Sequence, residues 1–202
     1  MRIVLTRDPE RADGLAERLR ARGHDVSCVP LTRVEDGVPF PDPSRFDGVL
    51  FTSANAVARV PAKAPWPRVG AVGEATAEAL RARGIAVDVV GAGGGKELAA
   101  AWGGARGQRL LLPQAEEAHG DLGDALRAAG AEVVAVAVYR TVAREGVDRG
   151  PFERADLVCF FAPSQVRAYR ALAVPTRARF WGVGPTTRAA MEGLPQVADL
   201  PT

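Results

Sequence analysis

Apolar residues along the chain gather in short runs, and between the runs they recur every three or four positions. The runs at residues 3–6, 46–52, 68–72, 85–90, 109–112, 157–161 and 180–183 have the length of buried strands. Two longer runs, 26–34 and 132–142, predict long strands, the first interrupted at Pro30. Helical periodicity follows most of them. After the first run Asp8 is placed as an N-cap and Pro9 at the first helical position, Leu15 and Leu19 lie on one face, and Gly23 closes the helix. Further helices are predicted from 52–55 to about 60, then from the glycine turn at Gly73, and over 97–102, 116–129, 164–172 and 185–193. Strands and helices alternating at these lengths predict parallel sheets covered by helices, so the fold class is α/β.

The pattern is used twice. Gly23 and Gly130 stand 107 residues apart, Val57 and Val166 stand 109 apart, and Gly73 and Gly184 stand 111 apart. An offset that drifts so little through several elements marks two similar half-chains. The long runs are the natural crossings between two lobes. The expected division is therefore a discontinuous first lobe (1–34 with 143–202), an inserted second lobe (38–138), and connecting strands around 26–37 and 132–142.

Composition narrows the function classes. Hydrophobic residues make up 47% of 202, enough for packed cores, and 26 basic against 24 acidic residues give no electrostatic case for nucleic acid. No apolar run approaches a membrane span, and Asp8 and Pro9 arrive too early for a signal peptide, so a cytoplasmic protein is expected. Two cysteines, Cys28 and Cys159, and two histidines, His24 and His119, form no disulfide framework, metal-spaced cluster or triad. The stretch Gly91-Ala92-Gly93-Gly94-Gly95-Lys96-Glu97 lacks the serine or threonine of a P-loop at Glu97 and the third glycine of a dinucleotide fingerprint at Lys96, and reads as a flexible turn.

The candidate chemistry sits in the turns. Thr76 follows Gly73 by three residues and Thr187 follows Gly184 by three, each near a helix start where free N–H groups and the helix dipole attract anions. Thr52-Ser53-Ala54 and Ala162-Pro163-Ser164 occupy matching strand ends, where Ser53 and Ser164 are candidate caps or ligand contacts. Arg7 and Arg140 are candidate charged partners, and Tyr139 falls on a crossing strand.

Four stretches together, Phe51-Thr52-Ser53-Ala54-Asn55-Ala56-Val57, Ala71-Val72-Gly73-Glu74-Ala75-Thr76-Ala77, Leu122 to Gly130 running into Val138-Tyr139-Arg140-Thr141, and Gly182-Val183-Gly184-Pro185-Thr186-Thr187, resemble the uroporphyrinogen-III synthase family. The resemblance implies a cytosolic, cofactor-free and metal-free monomer with two α/β lobes joined by a two-stranded ladder. Its substrate would be hydroxymethylbilane handed over by the preceding deaminase, dehydrated and cyclised to uroporphyrinogen III with inversion of the last ring. It also implies Tyr139, Thr76 and Thr187 as the catalytic positions. Arg7, Thr52, Ser53, Ala54, Gly73, Arg140, Ala162, Pro163, Ser164 and Gly184 are implied to bind the acidic substrate. The chain departs from the family pattern at Gln114, Ala115 and His119, where arginine, glycine and arginine are common, and stops at Thr202 where a last helix is common. A non-catalytic module that holds a tetrapyrrole or other polyanion is the alternative expectation.

Overall fold

The computed structural model describes residues 1–118 and 120–201; His119 lies outside the described residues. By compactness the chain divides into one unit of residues 1–33 with 142–202 and another of residues 34–141.

The first unit holds a four-stranded parallel sheet of β1 (Arg2–Leu5), β2 (Asp25–Cys28), β9 (Leu157–Phe160) and β10 (Arg179–Gly182), in the order β10-β9-β1-β2. Its helices are α1 (Pro9–Ala21), α6 (Gly150–Glu153), α7 (Pro163–Leu172) and α8 (Gly184–Ala190). In β9 every residue is buried, as expected of a parallel strand covered on both faces. One face packs Phe160, Phe152, Phe180 and Tyr169, and the other packs Leu5, Ala16 and Leu19 of α1 with Cys159. Burial pushes the Cys159 thiol up to about 12. It is a small core residue.

The second unit carries most of a six-stranded sheet ordered β3-β8-β7-β4-β5-β6, from β3 (Thr32–Asp36), β4 (Gly48–Phe51), β5 (Arg68–Ala71), β6 (Val89–Val90), β7 (Arg109–Ala115) and β8 (Glu132–Ala143). Strands β8, β7, β4, β5 and β6 pair in parallel. β3 runs against β8: Gly37 N–H donates to Val138 O and Val38 N–H to Ala137 O. The helices are α2 (Ala54–Val57), α3 (Glu74–Arg81), α4 (Gly95–Trp102) and α5 (Asp121–Ala128). Trp102 packs on the backbone of β4 and β5, and a Cβ at Gly48 would lie 2.3 Å from its ring. Only glycine fits there.

The internal repeat is visible atom by atom. Asp47, just before β4, accepts the Arg109 N–H with Oδ2 at 2.7 Å; Asp156, just before β9, does the same for the Arg2 N–H at 2.7 Å. Strands β1, β2, β9 and β10 thus correspond to β7, β8, β4 and β5, and the two sheets share one strand order. Each unit takes its first strands from one half-chain and the rest from the other.

Local expectations shift where backbone hydrogen bonding overrides apolar runs. The run at 26–34 is two strands in two sheets, parted at residues 29–31, because Pro30 has no N–H to give a ladder. Residues 85–88 are not strand, and only Val89 and Val90 pair with β5. Strand β7 extends to Ala115, which delays α5 to Asp121, and α2 ends at Val57 rather than near 60. Asp8 is the N-cap of α1 by position, but its carboxylate accepts from Arg144 Nη2 at 2.9 Å instead of from the helix.

Candidate functional site

In the second unit, β4 delivers the chain to Ser53, whose extended backbone makes it the N-cap of α2. Ser53 Oγ accepts the Asn55 N–H at 3.0 Å and lies 3.1 Å from the Tyr139 hydroxyl. With the phenol donating, both lone pairs of Ser53 are used and its own proton is left to donate elsewhere.

Tyr139 reaches that serine because β8 is bulged. Gln114 pairs with Ala137 but Ala115 pairs with Tyr139, so Val138 is an extra residue on β8. Neighbours in a regular strand face opposite sides, whereas Val138 and Tyr139 both pack into the one core cluster that Val134 and Val136 join. A bulge commonly serves to re-aim a side chain. The strand opposite must pass very close: a Cβ on Gly37 would lie 2.1 Å from the Ala137 oxygen and 2.9 Å from the Tyr139 nitrogen. The Arg59 guanidinium covers the tyrosine ring at 5.6 Å and donates through Nη1 to Asn55 O at 3.0 Å. Its Nε sits 3.0 Å from Asp36 Oδ1, an ion pair in which the Nε–H does not point at the carboxylate.

Beside this group is a cavity of about 270 Å³ lined by Asp36, Gly37, Val38, Glu116, Ala137, Tyr139 and Arg140. Arg140 is engaged, with Nε and Nη2 at 3.0 and 2.9 Å from Glu35 Oε2. Thr76 is the third residue of α3 and is buried at 6% exposure. Thr52 and Ala54 are exposed on either side of Ser53, and Gly73 is the N-cap of α3.

The first unit builds the matching turn from different atoms. The N-cap of α7 is Ala162, which has no side-chain oxygen, so the cap does not fall on Ser164; Pro163 and Ser164 occupy the first two helical positions. Gln165 supplies what the cap lacks. Its Oε1 accepts the Phe161 N–H at 2.7 Å and lies 2.8 Å from Thr6 Oγ1, which is itself 2.8 Å from Cys159 O. Thr6 has one proton and gives it to one of these two. Arg7 lies over the Phe161 ring at 4.4 Å with its Nε buried and without a hydrogen bond. Burial first, then the charge of Arg11, lowers its pKa against the opposing pull of Asp8. In α8, Gly184 has φ +67, a conformation that favours glycine, and Thr187 is buried at 2% exposure with Cγ2 toward Gly182.

Within the second unit the fold brings together Ser53 and Tyr139, and within the first Arg7 and Phe161. Sequence reasoning passed over Gln165, Thr6, Arg59, Asp36 and Gly37. Gln165 had a readable signal, since glutamine three residues after a cap position is the spacing of a capping box. The others depend on neighbours far along the chain.

No curated protein matches the chain in sequence. The fold is shared with uroporphyrinogen-III synthetase from Helicobacter pylori, at TM-score 0.72 and 20% identity over 97% of this chain and 91% of that one. It is also shared with a mutant uroporphyrinogen III synthase from Thermus thermophilus, at TM-score 0.56 and 20% identity over 95% and 88%. The family model described as uroporphyrinogen-III synthase HemD matches residues 13–201. With all but a few of its residues inside that match, the chain belongs to the uroporphyrinogen-III synthase family, cyclising lyases of tetrapyrrole biosynthesis.

Proposed function

We propose that the chain dehydrates and cyclises hydroxymethylbilane to uroporphyrinogen III, with inversion of the last pyrrole ring and with Tyr139 as proton donor to the departing hydroxyl. The observation that carries this reading is the Tyr139 hydroxyl 3.1 Å from Ser53 Oγ at the carboxyl end of β4. Ligands of open α/β sheets gather at that end of the strands.

The chemistry asks little of the protein. The electrons of a pyrrole ring expel hydroxide from the carbinol carbon, and a phenol, protonated at neutral pH, can give the leaving oxygen its proton. Ser53 supports that transfer: as the phenolic proton departs, the serine proton turns to the phenolate while Asn55 N–H keeps the serine oxygen in place. The larger task is holding a flexible chain so that closure proceeds with inversion, which is a matter of positioning.

Thr76 and Thr187 take part as substrate contacts, each buried, with no hydrogen bond to its hydroxyl among the described residues. Backbone N–H groups at Ala54 and Gly73 in the second unit, and at Ser164 and Gly184 with Arg7 in the first, are each suited to a substrate carboxylate; Pro163 shapes its turn without donating. Arg140 serves through Glu35 rather than as a free cation. The protein acts as a monomer in the cytoplasm on substrate supplied by the preceding deaminase.

The test is conversion of freshly generated hydroxymethylbilane, with type III and type I products separated by chromatography. Type III in excess of the spontaneous product is expected, and type I alone would overturn the reading.

A further inference from the structure

The cavity beside Tyr139 has acidic groups in its lining that play no part in the proton transfer from that tyrosine. Its wall is the bulged part of β8 and the end of β3, and its volume of about 270 Å³ is on the scale of a single substituted pyrrole ring. Two of its lining residues, Asp36 and Glu116, are carboxylates. Arg140, the cation of the lining, is committed to Glu35, and Arg59 is committed to Asp36 and the Asn55 carbonyl. The Glu116 side chain has no partner among the described residues, while its backbone N–H is anchored to Tyr139 O at 2.8 Å. That anchor ties the position of Glu116 to the residue whose side chain bonds Ser53. The opposite wall is equally constrained, because Gly37 admits no Cβ.

We infer that this cavity receives the reacting pyrrole ring and that Glu116, with Asp36 in the same lining, stabilises the positive charge that the ring acquires as its carbinol C–O bond breaks. The inference rests on the proposed function and gives a second role within the same site. When that bond breaks, the electron pair leaves on oxygen, which takes the Tyr139 proton and departs as water. The ring nitrogen supplies the replacing pair and becomes an acidic cationic N–H. A carboxylate accepts that hydrogen bond, and then the proton, leaving a neutral ring. The protonated carboxyl and the phenolate exchange one proton through solvent, which restores both groups. A carboxylate is an unfavourable neighbour for the acidic arms of a tetrapyrrole and a favourable one for a ring that turns cationic, so it contributes more in the transition state than in the ground state.

The test separates charge recognition from turnover. Two unreactive linear tetrapyrroles, one ending in a 2-aminoethyl group that is cationic at neutral pH and one ending in a methyl group, are titrated into the full chain by fluorescence quenching. The wild type is expected to bind the ammonium form about fivefold more tightly, the scale of one exposed charge pair. Glu116→Gln should abolish most of that preference, Glu116→Asp should retain part of it, and Asp36→Asn combined with Glu116→Gln should remove it. Affinity for the methyl form should stay unchanged in each variant, which also reports that the fold is intact. With hydroxymethylbilane, Glu116→Gln should lower kcat about tenfold with little change in KM, a smaller loss than for a buried donor because Glu116 is exposed. Equal binding of the two analogues by the wild type, or a preference that survives Glu116→Gln, would overturn the inference. Either result is independent of whether the wild type makes the type III isomer, which tests the proposed function by itself.

Discussion

The turn after β4 and the turn after β9 occupy equivalent places in two sheets of the same strand order, yet they spend their polar atoms differently. After β4 the cap is Ser53, partly exposed, with a second hydroxyl from Tyr139 beside it. After β9 the cap is Ala162, and the turn is tied from inside by Gln165 and the fully buried Thr6. Both satisfy the backbone. Only the first holds a pair of side-chain hydroxyls in contact, so under the proposed function that copy of the duplicated turn would supply the proton transfer, while the other turn is closed by an internal side chain.

The largest effect should come from removing the chemical half of this contrast. Tyr139→Phe is expected to lower kcat about 10² to 10⁴ fold, the range of general acid assistance, with circular dichroism and melting temperature close to wild type. An unimpaired rate would end the proton-donor role. Gly37→Val attacks the same residue through the backbone: its Cβ has no space between Ala137 O and Tyr139 N, so β3 must move off the bulge, at about 1 to 3 kcal/mol or more of stability. Denaturant unfolding checks this, and activity should fall along with stability.

Changes in the first unit should reverse the balance. Gln165→Leu leaves the Phe161 N–H without its acceptor and should lower stability by about 1 to 3 kcal/mol. Its kcat should stay within a few fold of wild type; a loss comparable with Tyr139→Phe would show that the two turns share the chemistry. Exchanging the caps is gentler. Ser53→Ala should lower stability by about 1 kcal/mol and kcat by a further margin, whereas Ala162→Ser should leave kcat unchanged and raise stability only as far as a cap oxygen adds to what Gln165 already supplies.

The smallest effect concerns the matched aspartates that precede β4 and β9. The Asp156 carboxylate is held below the usual carboxylate range by the Arg2 backbone N–H and, next, by its side chain. A depressed folded-state pKa contributes stability that is present above the unfolded value and is lost as pH falls through the folded one. Asp156→Asn should therefore be less stable than wild type near neutral pH, and the difference should vanish in the acid range below the usual carboxylate value. A difference that does not change with pH would show that the contact is steric only.

Much of the fold was legible in the residues because parallel strands buried on both faces produce apolar runs that need no context to recognise. The repeat was legible for the same reason, since glycines and apolar positions recur at a nearly constant offset. Chain breaks were less so. Val26 to Val34 looks like one strand by composition, but Pro30 divides it between two sheets. Candidate site residues near turns, such as Ser53 and Tyr139, could be picked out by position. Arg140 could not be assessed that way, because its partner Glu35 is 105 residues distant.

The sequence by itself determined the α/β class, the duplication and the set of turns at which ligand contacts are expected, since periodicity, caps and glycine spacing act over a few residues. Only the tertiary structure decided which turn holds a pair of hydroxyls in contact. That choice depends on one extra residue in β8, which turns Tyr139 toward Ser53, and on a glutamine side chain that closes the matching turn from inside. A bulge is a mismatch between two strands, and the buried contact of Gln165 with Thr6 joins side chains 159 residues apart. The spacing of Gln165 from the cap can be read locally, but neither the bulge nor the partner Thr6 can.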